Sequence, residues 1–252
     1  MKIKIYETKK ETSFKAAQKA IKILNKAIKE KGQAIFVIAT GNSQLDFINT
    51  LVADKTVDWS KTIMFHLDEY IGLPETHAAS FRKYLKEKFI NKVDSLGEVY
   101  LINGDKEPEK ECQRLNEILE NKEIDVSFVG VGENGHLAFN DPPADFKVKK
   151  PYIIVDLNKK CRQQQLNEGW FPSLEEVPQK AITMTIWQIM NSKNIINTVP
   201  EKRKAEAVEK CFGNFIVSPE CPASVLKIKN KAYTFLDKHS ASRIEKEYLQ
   251  LF

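Results

Sequence analysis

The chain has 252 residues, of which 42% are hydrophobic and 29% charged, and its formal net charge is +5. This length allows a sizeable core, and because no Pro/Gly/Ser-rich linker, low-complexity run or repeat divides the chain, we expect a single domain over residues 1–252. The basic residues are interleaved with acidic ones, as in KYLKEKF and KEPEKEC, which is typical of solvated helix faces and argues against a nucleic-acid partner.

Strand and helix patterns alternate along the chain. The predicted strands are, in order, KIKIYE, AIFVIAT, TIMFHL, EVYLI, IDVSFVG, YIIVDL, NIINTV and AYTFLD. The predicted helices are SFKAAQKAIKILNKAIKE, which Gly32 ends, then SQLDFINTLVA, SFRKYLKEKFI, EKECQRLNEILE, MTIWQIMN and residues 202–211. Such alternation with continuous apolar strands predicts an α/β fold: a single open, three-layer, Rossmann-like domain with a mostly parallel central sheet.

Polar clusters follow four of these strands. TGNS follows AIFVIAT, DEY follows TIMFHL, GENGH follows the strand that ends at Gly130, and PEKRK follows NIINTV. Ligands of parallel α/β sheets gather at the carboxyl ends of the strands. We therefore expect these four segments to meet at one rim and to form a binding site there.

The stretch GVGENG contains the spacing G-x-G-x-x-G, which is typical of dinucleotide-binding turns. That turn requires a helix directly after the glycines, because the pyrophosphate sits on the helix N-terminus. Here Pro142 and Pro143 follow closely and prevent a useful helix. Asp156 lies at a suitable distance for a ribose-binding acid, but the intervening element is wrong. We expect no NAD and no other cofactor.

The cysteines and histidines show no metal-binding spacing. Because no C-x-x-C pair is present, we interpret the four cysteines, Cys112, Cys161, Cys211 and Cys221, as reduced thiols, and we expect no metal. The N-terminus MKIKIYETKK lacks an apolar signal region, and no apolar stretch reaches about 18 residues. These features predict a cytoplasmic protein without a membrane partner, and they leave a homo-oligomer open.

The rim residues suit proton transfer on a small anion. Thr40–Ser43 joins a strand to a helix and can bind an oxyanion, although Asn42 or Ser43 could instead only cap the helix. Asp68 or Glu69 could act as a base where the strand meets a loop, or form a salt-bridged turn. His136, with acidic residues nearby and a lysine-rich helix start at residues 202–204, could shuttle a proton or be structural.

Three segments together resemble one known family. FHLDEYIGLPETHAASF, GVGENGHLAFNDPP and TGNS are similar to the glucosamine-6-phosphate deaminase (isomerase) family, which shares a fold with 6-phosphogluconolactonases. The lactonase branch typically has an arginine after the Asp-Glu pair and a Ser-Leu-Phe run after the histidine. Tyr70 and the sequence AFND therefore favour the deaminase branch.

The resemblance implies conversion of an amino-sugar phosphate, in the first place glucosamine 6-phosphate, to a keto-sugar phosphate and ammonia in amino-sugar catabolism. His136 would assist ring opening, Asn134 and Asp141 would orient it, and Asp68 would carry a proton between C2 and C1. The residues expected to bind the substrate and its phosphate are Thr40, Gly41, Asn42, Ser43, Glu69, Gly135 and Lys204.

This chain departs from the family pattern at three places. Position 134 is Asn where some members have an acid, and position 141 is Asp where Glu is common. The arginine that members use on the phosphate has no clear counterpart, and Arg162 is the nearest candidate. A sugar-phosphate hydrolase of the lactonase type and a non-catalytic sugar-phosphate sensor therefore stay as alternatives.

Overall fold

The alternation of strands and helices is present in the computed structural model, which describes residues 1–245. The strands are β1 (Lys2–Tyr6), β2 (Ala34–Ile38), β3 (Thr62–His66), β4 (Asp68–Tyr70), β5 (Glu98–Tyr100), β6 (Val126–Val129), β7 (Tyr152–Asp156), β8 (Lys180–Met184), β9 (Asn194–Val199) and β10 (Ala232–Asp237). The α-helices are α1 (Lys9–Lys31), α2 (Leu45–Ala53), α3 (Phe81–Lys88), α4 (Pro108–Leu119), α5 (Lys159–Asn167), α6 (Ile186–Asn191) and α7 (Ala205–Phe212).

Seven strands form the central sheet, in the order β1-β10-β9-β6-β2-β3-β5, and all its pairings are parallel. Every residue of β2 is buried. Phe36 packs into one hydrophobic cluster with α1, whereas its neighbour Val37 packs into the cluster on the opposite face. Because successive side chains of a strand point to opposite faces, both faces of the sheet are covered. The predicted α/β fold with a parallel, three-layer core is confirmed.

A second, three-stranded sheet was not predicted. It has the order β4-β8-β7 and antiparallel pairing, so the predicted strand YIIVDL lies here and not in the central sheet. β4 has three residues, which is too short to show a period, and neither β8 nor α5 was predicted. Leu67 joins the two sheets: its amide donates to Ile38 and its carbonyl accepts from Met184. This connection places Asp68 at the carboxyl edge of the central sheet.

The four predicted polar segments do meet at one rim, because β9, β6, β2 and β3 are neighbours in that order. Two of the connections have the same design. Gly41, with φ of 103°, precedes a 3-10 turn over Asn42–Gln44 and then α2. Glu201, with φ of 85°, precedes a 3-10 turn over Lys202–Lys204 and then α7. Both helices begin at the same edge of the sheet.

The prediction of four reduced thiols is wrong for one pair. Cys211 at the end of α7 forms a disulfide with Cys221, ten residues further along the chain, whereas Cys112 and Cys161 are free and buried. The chain turns back after α7 and brings the two sulfurs together, a contact that sequence spacing alone does not reveal. Among residues 1–245, no helix combines the length and the hydropathy that a membrane span requires.

Candidate active site

A pocket opens at the carboxyl edge of the central sheet. The turns after β2, β3, β6 and β9 form its walls, and α5 supplies a further side. Its lining residues are Ala39, Thr40, Gly41, Asn42, Ser43, Gln44, Leu67, Asp68, Phe81, Gly130, Val131, Gly132, His136, Ala138, Phe139, Gln164, Gln165, Glu168, Thr198, Val199 and Lys204. The pocket is therefore the rim that the sequence predicts.

The glycine turn after β6 holds His136 over the pocket. A Cβ atom at Gly132 would lie 2.2 Å from Nε2 of His136, so the imidazole packs where only glycine leaves room. Gly135 has φ of +87°, and a Cβ there would lie 3.0 Å from Sγ of Cys221. Between Gly135 and β7 the described chain forms no helix, which leaves no helix N-terminus for a dinucleotide.

Asn134 and Asp141 contact His136 but do not line the pocket. Oδ1 of Asn134 accepts a 3.0 Å hydrogen bond from the amide of His136, and Nδ2 of Asn134 donates to Asp141 at 2.9 Å. Oδ2 of Asp141 accepts from the amide of Asn158 at 3.1 Å. These contacts bear on the orientation of His136. Gly135, which we expected to bind the substrate, does not line the pocket either, and it shapes the turn that carries His136.

Asp68 and Glu168 are the acidic residues among those that line the pocket, and Asp68 is the one at the end of β3. Its residue exposure is 8%, and it lies where β3 passes into β4. Burial, together with the negative charge of Glu69, raises the pKa of Asp68 to about 8. A carboxyl group with such a pKa holds a proton more strongly than an exposed aspartate and can exchange it near neutral pH.

Glu69 does not line the pocket, which corrects the expectation that it contacts a substrate. It is fully buried, and its carboxylate accepts hydrogen bonds from the amides of Tyr70, Phe81 and Arg82, from the hydroxyl of Ser80 and from the guanidinium of Arg82. These donors use both oxygens. The carboxylate therefore fixes the start of α3, where the first amides lack helical partners.

The anion-binding part of the pocket combines the turn after β2 with a lysine. Thr40, Gly41, Asn42 and Ser43 all line the pocket beside the first amides of the turn. Lys204 is 4% exposed and also lines the pocket, and its ammonium has no hydrogen bond or ion pair with any residue in the range 1–245. Burial and the neighbouring Arg203 lower the pKa of Lys204 to about 8. An unpaired buried cation is costly unless an anion joins it.

The wall formed by α5 was missed by sequence analysis. Gln164 accepts a 2.8 Å hydrogen bond from the amide of Glu133, and Gln165 accepts a 2.7 Å bond from the hydroxyl of Tyr70. KKCRQQQLN carries little apolar periodicity, so its pattern gave no signal. Arg162 on the same helix donates to the carbonyls of Leu174 and Val177 and does not line the pocket, so it does not supply a cation there.

One group of side chains has the composition of a metal site. His136, Asp141 and Cys161 each offer a ligand atom, and these atoms lie within 4.8 Å of one another. Nδ1 of His136 is buried and makes no well-aligned hydrogen bond with the described part of the chain, residues 1–245, although it lies 3.3 Å from Oδ1 of Asp141. Burial, together with the charge of Asp141, raises the pKa of the Cys161 thiol far above its ordinary value, which disfavours the thiolate that a metal would need.

The fold and the pocket place the chain among α/β proteins that hold a polar, cation-bearing pocket at the carboxyl edge of a parallel sheet. More specifically, the chain belongs to the glucosamine-6-phosphate isomerase/6-phosphogluconolactonase family, whose model matches residues 7–235.

Sequence relatives of the chain are glucosamine-6-phosphate deaminases. It is 35% identical over 256 residues to the enzyme of Thermoanaerobacter sp. (strain X514), covering 99% of this chain and 98% of that protein. It is 33% identical over 239 residues to glucosamine-6-phosphate deaminase 1 of Bacillus subtilis (strain 168), covering 92% of this chain and 96% of the relative.

Solved structures show the same fold. A monomeric glucosamine-6-phosphate deaminase superimposes with a TM-score of 0.87 at 31% identity, covering 96% of this chain and 99% of the other. The 6-phosphogluconolactonase of Thermotoga maritima gives a TM-score of 0.77 at 18% identity, covering 94% and 99% of the two chains. At this level of identity the similarity to the lactonase concerns the fold alone.

Proposed function

We propose that the protein converts glucosamine 6-phosphate and water to fructose 6-phosphate and ammonia. One observation carries the proposal: the pocket holds the buried ammonium of Lys204, which pairs with no residue between positions 1 and 245, together with the protonatable carboxylate of Asp68. The first suits a phosphate and the second suits proton transfer on carbon. The named relatives at 33–35% identity over almost the whole chain support the same reaction.

The phosphate binds at the turn after β2. Thr40, Gly41, Asn42 and Ser43 present hydroxyl groups and amides at a helix start, and Lys204 supplies a full positive charge beside them. Helix starts favour anions because their first amides are unpaired and the helix dipole is positive there. Phosphate binding thus satisfies the amides and the lysine together and fixes the sugar in the pocket.

His136 opens the sugar ring. His136 lines the pocket; Asn134 accepts a hydrogen bond from its backbone amide, and Asp141 lies 3.3 Å from Nδ1 of its imidazole. A proton moves from the C1 hydroxyl to the ring oxygen, the bond between C1 and that oxygen breaks, and an aldehyde forms at C1. Asp141 stabilises the positive charge that the imidazole acquires while it carries the proton.

Asp68 then moves a proton along the open chain. Its carboxylate accepts the proton from C2, and the electron pair forms a double bond between C1 and C2. At the same time the second bond of the C1 carbonyl breaks, and its oxygen takes a proton from the ammonium group at C2. The return of the proton to C1 leaves an iminium at C2, which water hydrolyses to the ketone with release of ammonia.

Both sheets contribute to the pocket, because β4 of the small sheet begins at Asp68 and Lys204 lies in the turn after β9 of the central sheet. We therefore also propose that the chain is a single functional domain.

The test is a comparison of three substrates with the purified protein. Glucosamine 6-phosphate should release ammonia and a ketose phosphate in equal amounts, and unphosphorylated glucosamine should be a poor substrate. Hydrolysis of 6-phosphogluconolactone without ammonia release from the amino sugar would favour the lactonase alternative instead. Binding of the sugar phosphate with neither reaction would make the protein a sensor.

A further inference from the structure

Arg203 does not itself line the pocket, but its guanidinium contacts Ser43 and Glu168, which do. Its Nη2 atom thereby lies beside the proposed phosphate site. Its Nη2 atom donates a 2.9 Å hydrogen bond to Oγ of Ser43. Its Nε atom donates to Glu201 at 2.7 Å, and its Nη1 atom donates to Glu133 at 2.8 Å and to Glu168 at 3.4 Å. One arginine thus links the turns after β2, β6 and β9 with the end of α5.

The hydrogen-bond donors of this arginine are not all used. A guanidinium carries five N–H groups: one on Nε and two on each terminal nitrogen. Four of them have the acceptors Glu201, Glu133, Glu168 and Ser43. Within residues 1–245 the fifth has no acceptor, and it belongs to Nη2, the nitrogen that contacts Ser43.

We propose that Arg203 binds the phosphate of the substrate through this remaining N–H group. The inference rests on the proposed function, because it assigns the phosphate to the turn that contains Ser43. Arginine suits the position because its planar fork can keep several acceptors in fixed directions while it donates to a phosphate oxygen. A lysine ammonium in the same place would keep the charge and lose this geometry.

The hydroxyl of Ser43 explains how the site could accept the phosphate. A serine has a single hydroxyl proton, and Ser43 now donates it to Oε2 of Glu201 at 3.2 Å while its oxygen accepts from Arg203. When a phosphate arrives, that proton can turn to the phosphate without breaking the bond from Arg203. Glu201 keeps its ion pairs with Arg203 and Lys9.

Arg203 also separates the phosphate from negative charge. Glu133, Glu168 and Glu201 all lie within 4 Å of its guanidinium, and Glu168 lines the pocket. A phosphate brought to this rim would meet repulsion from these carboxylates. The same guanidinium can therefore act by direct contact or by neutralising the glutamates, and the experiment has to distinguish the two.

The experiment measures phosphate affinity and turnover in matched variants. Arg203→Ala removes the fork, Arg203→Lys keeps the charge, and Arg243→Ala makes the same change of charge on a half-exposed surface arginine that pairs with Glu206 and Glu209. Calorimetric titration with inorganic phosphate gives an affinity, and ammonia release from glucosamine 6-phosphate gives KM and kcat. Thermal unfolding checks that each variant is folded.

Direct contact predicts that Arg203→Ala raises both the Kd for phosphate and the KM roughly 10- to 100-fold, the range for a hydrogen bond to a charged group. Arg203→Lys should lie between Arg203→Ala and the parent, Arg243→Ala should match the parent, and kcat should change little. Unchanged phosphate affinity in both Arg203 variants would overturn the proposal.

A triple variant, Arg203→Ala with Glu133→Gln and Glu168→Gln, tests the neutralising role, while Glu201 keeps its ion pair with Lys9. If the triple variant recovers the parent's affinity, Arg203 only offsets the glutamates, and the proposed contact is wrong. Persistent weak binding in the triple variant supports the contact. Because phosphate affinity needs no turnover, a parent protein that releases no ammonia would contradict the proposed function and still leave the role of Arg203 measurable.

Discussion

Oδ1 of Asp141 lies 3.3 Å from Nδ1 of His136 and at the same time accepts a 2.9 Å hydrogen bond from Asn134. Burial acts to raise the pKa of Asp141, but the contacts with His136, Asn134 and the amide of Asn158 together outweigh it, and the pKa lies below its ordinary value. The carboxylate is therefore charged at neutral pH. Asp141 is thus a charged partner of the imidazole of His136, whereas Asn134 is an uncharged partner of the backbone amide of the same residue.

Replacement of Asp141 by Asn should reduce kcat by roughly 10- to 100-fold, the worth of one charge-assisted contact. The amide keeps the shape and loses the charge that stabilises a protonated imidazole during ring opening. Asp145→Asn is the control, because Asp145 is exposed and accepts a hydrogen bond from the amide of Lys147, away from His136. Equal kcat in both variants would return His136 to a structural role.

Replacement of Asp68 by Asn should abolish ammonia release and raise stability. An amide cannot accept the C2 proton. The pKa of Asp68 is about 8 in the folded chain and about 3.9 in an unfolded one, so the parent loses stability as the pH rises from about 4 to 8. The asparagine has no such dependence.

The stability gain of Asp68→Asn should consequently grow between pH 5 and pH 8. Thermal unfolding of the two proteins at both values measures it. A difference in melting temperature that stays constant with pH would contradict the raised pKa, and residual ammonia release would remove Asp68 from the reaction.

The pH profile of kcat/KM should be a narrow bell centred near pH 8. Asp68 must lose its proton to act as a base, so activity rises through its pKa of about 8. Lys204 must keep its proton to bind phosphate, so activity falls through its pKa, also about 8. Lys204→Arg should move the falling limb to higher pH, since arginine stays charged. Superimposable profiles would exclude Lys204 from that limb.

Replacement of Gly132 by Ala should displace His136 and reduce kcat strongly, because the new methyl group would lie 2.2 Å from the imidazole. The variant should also unfold at a lower temperature than the parent. Adding His136→Ala removes the clash, so the double variant should recover the stability but not the activity. If the double variant stays as unstable as Gly132→Ala alone, the loss of stability does not come from the contact with His136.

Reduction of the disulfide between Cys211 and Cys221 should destabilise the protein by about 2–3 kcal/mol, the loop-closure value for a bridge across some ten residues. Unfolding experiments with and without a reducing agent give the difference in the free energy of unfolding. The variant Cys221→Ser should show the same loss of stability when no reducing agent is present. Mass analysis after alkylation counts the free thiols. Four alkylated cysteines in the untreated, unfolded protein would show that the bridge is absent.

Much of the site could be predicted because it consists of strand ends. The apolar patterns of β2, β3, β6 and β9 locate the four strands, and parallel pairing then brings their carboxyl ends together without further information. The glycine motif could be separated from a dinucleotide turn because Pro142 and Pro143 exclude the helix that such a turn needs.

The parts that escaped prediction depend on contacts between distant segments. Glu69 and Asp68 are adjacent in sequence, and only the packing of α3 sends one carboxylate to a helix start and the other to the pocket. The wall formed by α5 rests on single glutamine hydrogen bonds to Glu133 and Tyr70. The bridge between Cys211 and Cys221 requires the reversal of the chain after α7.

The turns that begin at Gly41 and Glu201 have similar backbone conformations, but the first residue is glycine in one turn and glutamate in the other. A glutamate with φ of 85° and ψ of 139° occupies a conformation that glycine adopts freely, at a cost of order 1–3 kcal/mol. Glycine at position 201 would remove that cost along with the carboxylate that holds Lys9, Ser43 and Arg203. Backbone stability would therefore favour glycine at position 201, whereas the contacts beside the proposed phosphate site require glutamate. The chain has the glutamate.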